Sequence, residues 1–454
     1  MRLRPPPGSS RDDGVIKTRV FGAGALAAVM FAAGALLPSG NDAVPRRLVS
    51  SAGELISAEL VARGDVETTI AALQQRVRAD GGDPLELAGL GSAYLQKARI
   101  TADPSYYALA RKSLNRSLEL DARNLPAVLG MGELALASHD FSSALTWSDK
   151  ALGVDDVNPT ALGVKGDALA ELGRYRDAFH TYQRMVDARP NLSSFARASY
   201  ARELTGDLRG AVDAMRRAAA AGALVPENEA WTHNQLGELL SATGKLNRAE
   251  RAYRAARAIA PDYLAPIAGL GRIDAARGRI GRAIDRFERL TIRFPLPQYV
   301  MELGDLHAAA GHDPQAWRAY DLVLAQQRLY DANGVLPDVE MTLFLADHAH
   351  RKEALRMARA QYRNRAAIRV ADALAWALYR NGRLGAAARH MDEALRLGTK
   401  DALIHFHAGM IARARGARGS AHAHLATALR LNPHFSVLHA DRAGQALKAL
   451  GGIQ

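Results

Sequence analysis

Between Leu236 and Pro261 the chain reads LGELLSATGKLNRAERAYRAARAIAP, two runs with helical periodicity separated by a glycine. Apolar or small residues recur at i, i+3, i+4 and i+7, the spacing that lines up one face of an α-helix. The pattern predicts two amphipathic helices joined by a tight turn. Gly244 supplies a backbone conformation that a residue with a Cβ resists, and Pro261 ends the second helix because it has no N–H to donate.

The same register returns 34 residues later. Leu236-Gly237 matches Leu270-Gly271, Gly244 matches Gly278, Ala249 matches Ala283, Tyr253 matches Phe287 and Pro261 matches Pro295. Upstream it reads Gly166, Gly173, Ala178, Tyr182 and Pro190; downstream it reads Leu303-Gly304, Gly311, Ala316 and Tyr320. Near the end it reads Gly409, Gly416, Ala421, Leu425, Ala428 and Pro433. Units begin near Pro84, Leu125, Pro159, Leu192, Ala230, Leu264, Pro297, Val335, Ile368 and Ala402, about ten in all. In each, a small residue on the first helix (Gly166, Gly237, Gly271, Gly304) admits the second helix. That helix buries a small residue (Ala178, Ala249, Ala283, Ala316) and then a ring (Tyr182, Tyr253, Phe287, Tyr320). Asp274 occupies a place that is usually apolar. One hairpin cannot bury its own apolar face, so the units must stack.

These residues resemble the signature of the tetratricopeptide repeat family, over roughly residues 84 to 435. The resemblance implies an all-α, right-handed superhelical solenoid of about ten hairpins, without enzymatic activity, that captures a protein partner along its concave face. Two places depart from the pattern. The first unit carries extra residues around ARITADP before Ala110, and the connection from Asn333 to Pro337 is long and is followed by Ala349 in place of the turn glycine. Irregular loops or a bend are expected there, and a capping helix after Pro433. The resemblance also places the residue after the paired small position in the groove: Glu133, Asp167, Tyr200, Glu238, Arg272 and Asp305. The family's best-known clamp holds a C-terminal carboxylate with Lys and Asn at these inner places. A mostly acidic set suits a basic partner segment instead.

The amino terminus is of another kind. Residues 1–19 are polar and basic and lead into an uncharged stretch, residues 20–37, whose 18 residues span roughly 27 Å as a helix. It reads as an export signal, with Ala33-Gly34-Ala35 as a small-residue cleavage site, or as a single membrane anchor. The preceding cations favour a cytoplasmic amino end, which places the bulk of the chain outside the membrane. Residues 38–83 read as linker and leading helix, 84–434 as the solenoid, and 435–454 as cap and tail.

Composition narrows the chemistry. There are no cysteines, which excludes disulfides and thiolate metal sites. The sequence holds no G-x-x-x-x-G-K-[ST], H-E-x-x-H or G-x-S-x-G motif, and no cofactor is implied. Six of the 14 histidines fall at the carboxyl end, among them His405, His407, His422 and His424. Members of each i, i+2 pair point to different sides of a helix, so a metal would need one from each pair to converge across the hairpin. Packed or solvated histidines are the plainer reading.

The net charge of +12 comes largely from arginine, as in Arg248, Arg251, Arg254 and Arg257, then Arg279, Arg282, Arg286, Arg289 and Arg293. These are expected on the outer helices, either as a solvated face or as a surface for an anionic polymer. Export and the lack of interleaved aromatics argue against nucleic acid. The expected function is a scaffold for a protein or peptide partner, with metal handling or anionic-polymer binding as alternatives.

Overall fold

The computed structural model describes residues 66–101, 103–222, 226–261 and 263–451, and the apolar stretch at 20–37 lies outside them. Among the described residues no helix is long and apolar enough to cross a membrane. A leading helix, α1 (Val66–Asp80), is followed by ten antiparallel hairpins. They are α2 (Pro84–Thr101) with α3 (Ser105–Leu120), α4 (Leu125–Ala137) with α5 (Phe141–Leu152), and α6 (Pro159–Glu171) with α7 (Tyr175–Ala188). Next come α8 (Leu192–Leu204) with α9 (Leu208–Gly222), α10 (Pro226–Ala242) with α11 (Leu246–Ile259), and α12 (Ala265–Ala276) with α13 (Ile280–Arg293). The last four are α14 (Pro297–Ala309) with α15 (Asp313–Ala332), α16 (Val339–Asp347) with α17 (Arg351–Asn364), α18 (Ile368–Arg380) with α19 (Leu384–Ala394), and α20 (Ala402–Ala414) with α21 (Arg418–Leu431). A final helix, α22 (Ala440–Gly451), closes the array.

Local chemistry sets these boundaries. Asn124, Asn158, Asn191, Asp338 and Asp401 precede first helices, and each side chain accepts a first-turn backbone N–H. At the hairpin turns Gly173, Gly206, Gly244, Gly278, Gly311, Gly382 and Gly416 all have positive φ. His139 (φ 58°) and Ala349 (φ 72°) make the same turn despite a Cβ. Ala349 therefore preserves the turn where an irregular loop was expected. The two departures are absorbed by helix length instead. In the first unit α2 continues to Thr101 through most of the extra residues, and in the seventh α15 runs for 20 residues before a short α16 of 9.

Within each hairpin the ring on the second helix packs onto glycine of the first. A Cβ on Gly237 would lie 2.5 Å from the Tyr253 ring, and one on Gly271 would lie 2.6 Å from Phe287. Asp274, at a place that usually holds an apolar residue, is buried as a salt-bridged anion. Arg279 Nη2 approaches it to 2.6 Å and Arg286 Nε to 2.6 Å, so two arginines of the outer stripe neutralise it.

The solenoid coils tightly enough for successive turns of its superhelix to touch. The turn of the second hairpin meets the link between the seventh and eighth: Leu336 N–H donates to Ser138 O (3.1 Å), and His139 Nδ1 donates to Leu336 O (2.9 Å). The third hairpin meets the next link, where Ile368 N–H donates to Tyr175 Oη (2.8 Å) and Arg365 pairs with Glu171 (3.1 Å). At the fourth, Gly206 lies against Gly398. At the fifth, Asn432 Nδ2 donates to Ser241 O (3.1 Å). Tyr175, Leu204, Val339, Ile368 and Val370 form one apolar cluster across this seam. The seam is thus packed along four consecutive hairpins and hydrogen-bonded at three of them.

Candidate functional site

The inner face is built from the first helix of each hairpin. Two of the expected groove residues do not face a groove. Asp167 is 2% exposed: it accepts from Tyr182 Oη (3.0 Å) and takes both ends of the Arg197 fork, at 2.9 and 2.7 Å. Burial pushes the Asp167 carboxyl up while Arg197 pulls it down, and the first effect is the larger. Glu133, 3% exposed, has a buried oxygen, Oε1, with no hydrogen-bond partner, and burial pushes its carboxyl up to about 7.

One rule accounts for the difference. An aspartate at this place accepts from the tyrosine 15 residues ahead on its own second helix, as Asp167 does from Tyr182 and Asp305 from Tyr320 (3.0 Å), whereas the Tyr253 hydroxyl opposite Glu238 has no hydrogen-bond partner among the described residues. Glu133 finds Ser148 at that offset and Arg272 finds Phe287, neither of which reaches it with a hydroxyl. Arg272 instead bridges the neighbouring first helices. It holds Glu238 at 2.9 Å and Glu302 at 2.7 Å, and these carboxylates raise its pKa against the opposing effect of burial. Its side chain is 35% exposed. Tyr200, half-buried, donates to Glu171 (3.4 Å), and Asp305 also meets His348 Nε2 at 3.1 Å.

Four residues that the repeat register alone did not single out complete the inner wall. Glu203, at the end of α8, is pushed up to about 7, by burial first and then by Asp401 and Glu238, with Arg369 opposing. Arg369 has its pKa raised by Glu340, Asp401 and Glu203 against the pull of burial, and it sits 4.0 Å from Glu340. Around Glu203 the carboxylates of Glu238 and Asp401 thus face the guanidinium of Arg369, with Glu238 also taken by Arg272.

The carboxyl-terminal histidines divide. His405 and His424, one from each sequence pair, converge across the last hairpin with their Nδ1 atoms 3.0 Å apart, and burial lowers both pKa values. His422 is exposed on another side of α21. His407 is buried against Trp376, its Nδ1 2.9 Å from Asp372. No group of three or more potential metal ligands occurs among the described residues. Of the arginine stripe, Arg248, Arg251, Arg254, Arg257, Arg282, Arg289 and Arg293 are exposed on α11 and α13.

The repeat geometry and the sequence agree on the family. The tetratricopeptide repeat profile matches residues 129–193 and 268–328, and these segments are tetratricopeptide repeats. Cellulose synthase 1 operon protein C of Komagataeibacter xylinus is 25% identical over 263 residues, 54% of this chain; the chain spans 16% of that relative's length. Among solved structures, a human IFIT1 dimer with PPP-AAAA aligns at 15% identity, covering 76% of this chain and 80% of that one, with a TM-score of 0.44. The APC/C hetero-tetramer Cut9–Hcn1 aligns at 16% identity over 88% of this chain and 84% of that one, with a TM-score of 0.43. A tetratricopeptide repeat protein from Parabacteroides merdae aligns at 15%, over 53% and 91%, with a TM-score of 0.40. Such repeats point to a protein-interaction scaffold.

Proposed function

We propose that this protein is an extracytoplasmic scaffold that holds a cationic segment of a protein partner against the inner face of its solenoid, without covalent chemistry. The reading rests on the charge imbalance at the seam. Asp401 and Glu238 both act on Glu203, where Arg369 opposes them, while Glu238 is itself held by Arg272. The Glu203 carboxyl is pushed up to about 7, by burial first and by these carboxylates after it, and a Lys or Arg side chain brought by a partner would favour its charged form. The placement outside the cytoplasmic membrane rests on the apolar stretch at 20–37 and the cations before it.

The test is binding of a fluorescent Lys/Arg-rich peptide to the full-length chain at pH 8 and at pH 5.5, alongside Glu203→Gln. Tighter binding at pH 8, weakened several-fold by the substitution, is expected because the carboxylate is the attracting form. Equal affinity in parent and variant at both pH values would refute the groove assignment. A reporter fused after residue 454 that is active only in the cytoplasm would refute the location.

A further inference from the structure

A cleft of about 660 Å³ opens on the outer surface between α17 and the turn leading into α19, away from the inner face. Lys352, Arg356, Arg359 and Arg363 line it from α17, and Arg383 closes it from the next hairpin. Among the described residues no carboxylate lines it. Glu353 reaches Arg356 (3.4 Å) and leans toward His350 at one end, and among the described residues no acid pairs with Lys352, Arg359, Arg363 or Arg383. Five cations held around one recess repel one another, and a scaffold that needed only solubility would intersperse acids among them. At α13, by contrast, Arg279 just before the helix and Arg286 within it are consumed by Asp274.

We infer that this cleft is a second docking site, which takes an extended acidic segment of a protein partner. The spacing supports a peptide. The basic residues at 352, 356, 359 and 363 climb α17 in steps of roughly 6, 4.5 and 6 Å. Alternate side chains of an extended peptide stand roughly 6.7 Å apart on one face, so glutamates at every second position cover roughly 20 Å against roughly 16.5 Å for the ladder, a difference that long Lys and Arg side chains can reach across. Guanidinium groups bind such carboxylates in forked pairs. The floor supports it too: Leu355 and Ala360 lie among the cations and receive an aliphatic side chain carried between the acids. Single-stranded nucleic acid fits less well, because no aromatic residue lines the cleft to stack a base. The site is independent of the inner-face reading: it has the opposite charge and lies on the opposite surface.

The experiment uses the full-length chain and a dye-labelled nine-residue peptide with glutamate at alternate positions and a central leucine, followed by fluorescence anisotropy. Saturable binding is expected, weakened at least tenfold in Arg359→Glu/Arg363→Glu. Both arginines are exposed, so thermal unfolding should match the parent. The control pair Arg251→Glu/Arg254→Glu, exposed on α11, makes the same change in net charge and should leave the affinity within about twofold. Three results would overturn the inference: no saturable binding, equal weakening by the control pair, or tighter binding of an oligothymidylate of equal charge. The first two would leave only diffuse attraction to a basic protein, and the third would make the cleft a nucleic-acid surface.

Discussion

The hydroxyl of Tyr175 accepts the backbone N–H of Ile368 at 2.8 Å although 193 residues separate them. Tyr175 begins the second helix of the third hairpin and Ile368 begins the first helix of the ninth, so this bond ties one superhelical turn to the next. Arg396 covers it, stacked over the Tyr175 ring at 5.2 Å while donating to Ala366 O at 2.8 Å. Tyr175→Phe keeps the ring and removes the acceptor, leaving a buried N–H unpaired at a cost of roughly 1–3 kcal/mol. Hydrogen exchange at Ile368 should accelerate, while amides within α7 keep their protection. Unchanged exchange at Ile368 would mean that the seam is not closed in solution.

A second prediction separates the seam from the turn itself. Gly173 and Gly311 have nearly equal φ values, 77° and 75°. A Cβ on Gly173 would lie 2.6 Å from Ala366 O across the seam, whereas one on Gly311 meets nothing within 4 Å. Gly311→Ala should cost only the backbone strain, roughly 1–2 kcal/mol. Gly173→Ala should cost more, by about 1 kcal/mol or above, and should raise the radius of gyration in small-angle scattering as the turns part. Equal losses with equal radii would show that the seam adds nothing to stability.

That comparison also shows which parts of the structure can be read from sequence. Hairpins are local: the glycine turn, the ring that packs on a glycine of the first helix, and the Asn or Asp cap before Leu125, Pro159, Leu192 and Ala402 lie within one repeat, and each leaves a periodic trace. The seam joins residues nearly 200 positions apart, and Gly173 looks like every other turn glycine until the superhelix closes on it. The inner face was half legible. The place after the small residue does carry charge, but at Asp167 and Asp305 that charge serves a tyrosine of the same hairpin, a link visible in the sequence only as an aspartate followed 15 residues later by Tyr. Glu203 lacked even that trace, because its neighbours Asp401 and Arg369 arrive from the next superhelical turn.

Glu133 gives a prediction with a sign. Its folded-state pKa, about 7, lies above the value of roughly 4.3 expected in the unfolded chain, so the folded state binds the proton more tightly. Stability from this group is fully present below the unfolded value and is lost as pH rises through the folded one. Glu133→Gln removes the ionisation while nearly preserving shape. It should stabilise the protein at pH 8 by on the order of 1–3 kcal/mol and flatten the decline in stability between about pH 4.5 and 7. Urea unfolding at a series of pH values reads both effects. A variant less stable than the parent at pH 8 would show that the carboxylate is compensated by a group not identified at Oε1.

Asp347 tests the opposite sign at the other end of the solenoid. It closes α16 and gathers three partners: Trp376 Nε1 donates at 3.0 Å, Arg380 Nη1 at 2.7 Å, and His439, just before α22, reaches it through Nε2 at 3.1 Å. Burial alone would push this carboxyl up, but the hydrogen bond and charge of His439, with help from His407 and Trp376, hold it below its usual value. For a depressed carboxylate the stabilisation is present above the unfolded pKa and is lost as pH falls through the folded one. Asp347→Ala would strand Arg380, Trp376 and His439 together, at a cost of roughly 3–5 kcal/mol, as when one member of a buried ion pair is removed. The loss should be local as well as global. His439 is the residue that fastens the approach to α22, so limited proteolysis should cut between α21 and α22 in the variant and spare the parent. Acidification from about pH 5 to below 3.8 should then weaken the variant less than the parent, because the variant no longer carries the carboxylate whose protonation releases the cap. If α22 stays protected in Asp347→Ala, the apolar contacts of Ala443 and Ala446 hold the cap on their own and the Asp347–His439 bond is dispensable.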